Sequence, residues 1–134
     1  MNAAPRLRIA RPTDDPRALL RFYRDGLGLE VIGGFQDHAG FDGLFLGRRG
    51  WPYHLAFTTH RGHPAGRAPT QENLLVFYVA EAAEWQAIVD RMMAMGFAPV
   101  PSINPYWEAR GKTFEDPDGY RVVLECAPCM TGEA

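Results

Sequence analysis

Hydrophobic and polar positions follow one order twice along this chain. "LRIAR" (Leu7 to Arg11) alternates like a half-buried strand. "DDP" follows, offering an Asp cap with Pro16 at the first helical position. Leu19, Leu20, Phe22, Tyr23 and Leu27 then recur at helical spacing, and Gly26 and Gly28 stop the helix. Three β-like runs come next: "LEVIGGF", "FDGLFLG" and "YHLAFTT". His60 to Asn73, rich in Gly, Pro and polar residues, reads as a linker.

Beyond the linker the order returns. "LLVFYV" predicts a strand, and "AEAAEWQAIVDRMMAMG" a helix with Trp85, Ile88, Val89 and Met92 on one stripe and Gly96 as its stop. "FAPVPSI", "KTFE" and "YRVVLE" are read as three further strands. Asp116-Pro117-Asp118-Gly119 makes the turn between the last two, with Pro117 presetting φ and Gly119 free to take a positive φ. Each half is therefore a βαβββ unit, covering roughly residues 6–60 and 73–127 with a linker over 60–73. The expected fold class is α+β, a single domain of two modules. Each module's helix covers one sheet face, and the sheets curl into a cup lined by alternate strand residues. The Trp85 and Met92 stripe reads as core, since it has no polar partners at its spacing.

Composition narrows the function. At 134 residues and 46% hydrophobic, the chain is long enough and apolar enough to bury a core. A net charge of -2 gives no electrostatic case for nucleic acid. No apolar run reaches bilayer-spanning length, and "MNAAPRLRIA" contains no apolar signal core, so a cytoplasmic protein without a membrane partner is expected. Cys126 and Cys129 form a CxxC with no second pair and no thioredoxin-like setting, which reads as two ordinary thiols.

"FYRDGLGLEV" at the close of the first helix and "FEDPDGYRVVLE" in the second half carry a resemblance. Over nearly the whole chain, roughly Leu7 to Cys126, the organisation resembles the vicinal oxygen chelate superfamily. That group includes glyoxalase I, the bleomycin- and fosfomycin-resistance proteins and the extradiol dioxygenases. The resemblance implies a divalent metal held by His and Glu side chains and acting as a Lewis acid. Carried over position by position, the four ligand sites fall on Arg8, Ala56, Leu74 and Val123. None is a metal ligand, and their immediate neighbours supply no His or carboxylate. The expectation is no metal and no other cofactor at that place.

If those four residues face the cup, period-two alternation sends Ala10, His54, Thr58, Val76, Tyr78, Arg121 and Glu125 there too. Arg8, His54, Tyr78 and Glu125 are thus candidate ligand contacts. Tyr106, Trp107 and Arg110 join them from "SINPYWEARGKTFE", a loop that closes over the cup in relatives. For His54 the alternatives are a ligand or acid–base group and a histidine bonded to Glu125, Arg8 or a carbonyl. For Arg8 they are an internal pair with Glu125 or His54 and a ligand carboxylate or phosphate. For Tyr106 and Trp107 they are ligand stacking and packing within a dimer or on the core. His60 and His63 form an HxxH with no third ligand, and they and His38 are expected at the solvent-exposed surface.

Two functions from different classes follow from the resemblance. One is a small-molecule binding protein with a metal-free cup, similar to the bleomycin-resistance branch. The other is a lyase, isomerase or dioxygenase that uses a displaced divalent metal, or acid–base chemistry at His54 and Glu125. A small organic ligand is the expected partner, and a homodimer the expected assembly.

Overall fold

A computed structural model describes residues 4–129, except for the Cys129 side chain. The chain divides into two compact units, Met1–Gly66 and Arg67–Ala134. The linker shows why the break falls there. Asp14 accepts from the N–H groups of Ala65 (2.7 Å) and Gly66 (3.1 Å), tying the linker's first half to the first module. One residue later, Arg67 Nη1 donates to Pro117 O (3.1 Å) and Ala68 N–H to Asp118 O (2.8 Å), both in the second module.

The first module has β1 (Leu7–Pro12), β2 (Glu30–His38), β3 (Phe41–Gly47) and β4 (Tyr53–His60), in the order β1-β4-β3-β2. β1 runs parallel to β4, and the other pairings are antiparallel. Helix α1 (Pro16–Leu19) starts as its sequence directs, with Asp15 accepting from Ala18 N–H and Pro16 in the first turn. It then widens into a π-helix over Leu20–Gly26, where an ordinary helix is expected. The Leu27 N–H donates five residues back, to Phe22 O. Leu19, Phe22, Tyr23, Leu27 and Leu29 are buried here, and the Tyr23 ring lies 4.9 Å from Phe57. The helix therefore covers the sheet face that carries Leu46, Leu55 and Phe57.

The second module has β5 (Leu74–Val79), α2 (Ala82–Ala94), β6 (Gly111–Glu115) and β7 (Arg121–Cys126), with sheet order β5-β7-β6. One element departs from expectation. "FAPVPSI" forms no strand, and among the described residues its backbone pairs with β6 only through an isolated bridge from Val100 to Thr113. Pro99 and Pro101 on either side of Val100 have no N–H to give a ladder, so one bond, Val100 N–H to Thr113 O at 2.8 Å, is all that forms. The turn before β7 is built as its sequence suggests. Asp116 accepts from the Asp118 and Tyr120 N–H groups at 2.8 and 3.0 Å, and Gly119 has φ +91°. On α2, Val89 and Met92 are buried, and Trp85 Nε1–H donates to Leu124 O (2.8 Å). The stripe is core.

β7 leads into a 3-10 turn, Ala127–Cys129. Cys126 is disulfide-bonded, which corrects the reading of an ordinary thiol at that position. Among the described residues no helix is long and apolar enough to cross a membrane.

Candidate functional site

In the first module, strand alternation puts Arg8, His54, Phe45 and Phe35 on the face opposite the helix. Arg8 and His54 are direct neighbours on the parallel pair β1–β4, and Phe45 pairs with Ala56 one pleat along. In β3 the sequence G-L-F-L-G sends Leu44 and Leu46 to one side and Gly43, Phe45 and Gly47 to the other. The glycines make room. A Cβ on Gly43 would lie 2.3 Å from the Phe35 ring, and one on Gly47 would lie 2.8 Å from His54 Cδ2. The Phe35 ring thus lies on Gly43, and the His54 imidazole on Gly47. The Phe35 and Phe45 rings meet edge to face at 5.8 Å.

Arg8 is not the buried, carboxylate-paired cation that was one alternative. Its side chain is exposed and crosses β4 to place its guanidinium 4.0 Å from the centre of the Phe45 ring. Ala56, buried and carrying only a methyl group, leaves the space for that crossing. His54 Nε2 is buried and has no hydrogen-bond partner, which speaks against a purely structural, bonded imidazole.

In the second module, the face away from α2 carries Leu74, Val76 and Tyr78 of β5, Gly111, Thr113 and Glu115 of β6, and Arg121, Val123 and Glu125 of β7. Glu125 is 2% exposed, and Tyr78, its neighbour across the pair, is 53% exposed. The Glu125 carboxylate fills the space where a Gly111 side chain would stand, so glycine is required there. Arg121 is engaged within this module. Its Nε donates to Glu115 (3.3 Å) and its Nη1 to Pro101 O (2.9 Å). Ser102 and Thr113 share a 2.7 Å hydroxyl bond, and together these contacts hold the loop after Val100 against the sheet.

Under that loop lies a cavity of about 220 Å3, with Leu74, Thr113, Arg121, Ser102, Ile103 and Trp107 in its wall. Asn104 caps the short 3-10 helix Pro105–Trp107, accepting from Tyr106 N–H, and this fixes Trp107 in place. Of the loop aromatics predicted as contacts, Trp107 lines the cavity and Tyr106 is exposed, meeting Trp107 edge to face at 4.9 Å. Arg110 is half-buried, and its backbone carbonyl accepts from Cys126 N–H.

The four positions where the resemblance implies metal ligands divide between the modules. Arg8 and Ala56 are in the first, Leu74 and Val123 in the second. A guanidinium repels a cation and the other three side chains offer no donor atom, so these residues do not fit a divalent metal. Among the described residues no group of three or more His, Cys, Asp or Glu is arranged to hold one. His60 stacks between Phe41 (4.0 Å) and His63 (3.9 Å), an arrangement of ring faces rather than of converging nitrogens. His60 is half-buried, while His38 and His63 are exposed as expected.

Comparison with known proteins fits this geometry. Residues 7–58 match the YycE-like N-terminal domain and residues 72–126 the YycE-like C-terminal domain. The YycE protein of Bacillus subtilis (strain 168) is 43% identical over 130 residues, which is 97% of this chain and 94% of that protein. The chain belongs to the YycE-like family. The crystal structure of Bacillus subtilis YycE, a protein of unknown function grouped with the glyoxalase/fosfomycin resistance proteins, aligns with a TM-score of 0.85 over 97% of this chain and 95% of that one. Leishmania major glyoxalase I shares the fold at 18% identity, with a TM-score of 0.72 over 94% of this chain and 88% of that one. So does TnmS3, an antibiotic-binding protein from Streptomyces sp. CB03234, at 21% identity and a TM-score of 0.64 over 94% and 98% of the two chains. This YycE-like chain therefore has the glyoxalase-like α+β fold in two modules, as the vicinal oxygen chelate resemblance implied.

Sequence reasoning missed Phe45, Gly47, Ser102 and Thr113. The alternating G-x-F-x-G of β3 is a usable signal for the first two, since glycines two apart around an aromatic mark a face that another group approaches closely. Ser102 and Thr113 had no such signal, because their pairing depends on how the two-proline segment packs.

Proposed function

We propose that this YycE-like protein binds a small organic molecule and needs no metal to do so. The observation that carries the reading is the content of the ligand positions. Where the superfamily holds its cation, this chain has a guanidinium and three hydrocarbon side chains. The cavity lined by Leu74, Ile103 and Trp107 together with polar side chains supports it, since apolar surface beside placed polar groups is the usual make-up of a small-molecule site. Its volume is below the roughly 300–1,000 Å3 of drug-sized sites, so it suits a fragment-sized molecule or one portion of a larger one. Kinship of fold with an antibiotic-binding protein is consistent with the same class of role.

The test is a fluorescence titration of protein purified without chelator, using aromatic fragments of about ten to fifteen heavy atoms, with metal content measured on the same sample. At least one fragment should change tryptophan emission in the native protein and not in Trp107→Phe, and the protein should be free of stoichiometric metal. One tightly held equivalent of nickel, zinc, iron or manganese, or no response to any fragment, overturns the reading.

A further inference from the structure

We propose that the face of the first module opposite its helix is an oxyanion site, in which Arg8 and His54 take the carboxylate or phosphonate of a flat organic acid. This goes beyond the proposed function by adding a site in the other module and naming its ligand class, and it rests on the reading that the protein binds small molecules.

The geometry begins with the guanidinium. With its guanidinium carbon 4.0 Å from the Phe45 ring centre, Arg8 sits over the ring, and its guanidinium N–H groups make no hydrogen bond among the described residues. No carboxylate takes them: Arg8 forms no ion pair among the described residues. Its in-register neighbour His54 has a buried Nε2 with no partner. A cation whose donors are unused, on the strand position paired with a histidine whose ring nitrogen lacks its bond, is a donor set that an oxyanion completes. In the Nε2–H tautomer or as imidazolium, His54 donates the second bond. Next to these donors, the Phe35 and Phe45 rings give an apolar platform for the body of the acid.

Arg121 supplies the contrast within the same chain. It too is an arginine facing away from a helix, yet Glu115 and the Pro101 carbonyl use its donors. Arg8 is thus not an unavoidable by-product of the fold. It stands at a position where the resemblance implies a metal ligand, and it brings a positive charge to that place without a metal.

The test is isothermal titration at neutral pH in the presence of chelator, with phenylphosphonate and benzoate as anionic probes and benzamide as their neutral counterpart. The native protein should bind phenylphosphonate at least about tenfold more tightly than benzamide. Arg8→Gln should remove that preference and leave benzamide binding unchanged, with Arg8→Lys restoring part of it. His54→Gln should weaken the anions more than the amide, and the exposed-charge control Arg49→Gln should change nothing. Equal phenylphosphonate affinity in the native protein, Arg8→Gln and His54→Gln overturns the proposal. So does a native protein that binds benzamide as well as phenylphosphonate, in which case small-molecule binding itself still stands. Failure of all three probes to bind counts against both.

Discussion

The two modules repeat one plan and treat the face away from the helix in opposite ways. In the second, a loop is laid over that face and Arg121 is bonded locally, through Nε to Glu115 and through Nη1 to the Pro101 carbonyl. In the first, no loop bond reaches Arg8, whose charge rests on an aromatic ring beside a histidine with an unused nitrogen. One arginine is a structural rivet and the other is an available charge. Where a buried guanidinium is hydrogen-bonded to its own module it explains the shape of its surroundings, and where an exposed one has no hydrogen bond it is available to a partner.

Truncating each arginine in turn gives the largest effect. Arg121→Ala removes two charge-assisted bonds from a side chain only 7% exposed and should cost roughly 2–4 kcal/mol in urea denaturation. The estimate stays below the full buried-pair range because Glu115, 31% exposed, can turn to water. Arg8→Ala loses only an exposed cation–π contact and should cost no more than about 1 kcal/mol. Equal costs would break the comparison.

Next in size is the loop itself. Thr113→Val keeps the shape and deletes the 2.7 Å bond to Ser102, and should cost about 1 kcal/mol. The released loop should also show as altered Trp107 fluorescence. An unchanged melting curve and spectrum would mean that the two hydroxyls do not hold the loop.

Gly47→Ala sharpens the other half. The new Cβ would stand 2.8 Å from His54 Cδ2, so the imidazole must move. Stability should change by less than about 1 kcal/mol, because alanine recovers backbone entropy in the strand. Phenylphosphonate affinity should nevertheless fall. Retained affinity would show that His54 is not held in place by the glycine.

How much of this was legible in the sequence depends on the range of the interaction. Asp15-Pro16, Asp116 to Gly119 and the strand alternation act over a few residues, and the corresponding cap, turn and faces follow from local chemistry. Alternation also put Arg8 and His54 on one face, and Tyr78 and Glu125 on one face of the other module. "FAPVPSI" was over-read as a strand, since its apolar content outweighed the two missing N–H donors in the reading but not in the structure. The stacking of Arg8 on Phe45 spans two strand spacings and passes over Ala56, a relation that exists only once the sheet order β1-β4-β3 is known. The bond from Arg121 to Glu115 is a cross-strand pair at the Asp116–Gly119 turn, whereas its bond to the Pro101 carbonyl depends on how the two-proline segment packs and was not legible.

The smallest expected effect is on pH dependence, at the hairpin end of the first module. Hydrogen bonding from Arg61, then from the Asp37 N–H, holds the Asp42 carboxyl below the usual carboxylate range. A depressed folded-state value contributes stability above the unfolded value, near 3.9, and loses it as pH falls through the folded one. The Asp42 side-chain carboxyl resonance should therefore stay constant at neutral pH and move only below about pH 4. A midpoint above the ordinary carboxylate value would mean that the Arg61 contact is not formed in solution.

The central claim is that a side-chain cation, not a metal, receives the ligand, and one measurement addresses it directly. Phenylphosphonate is titrated calorimetrically into native protein in chelator, and again after chelator removal and addition of one equivalent of nickel. The account predicts the same affinity in both titrations. Binding that appears only after the metal is added would contradict it.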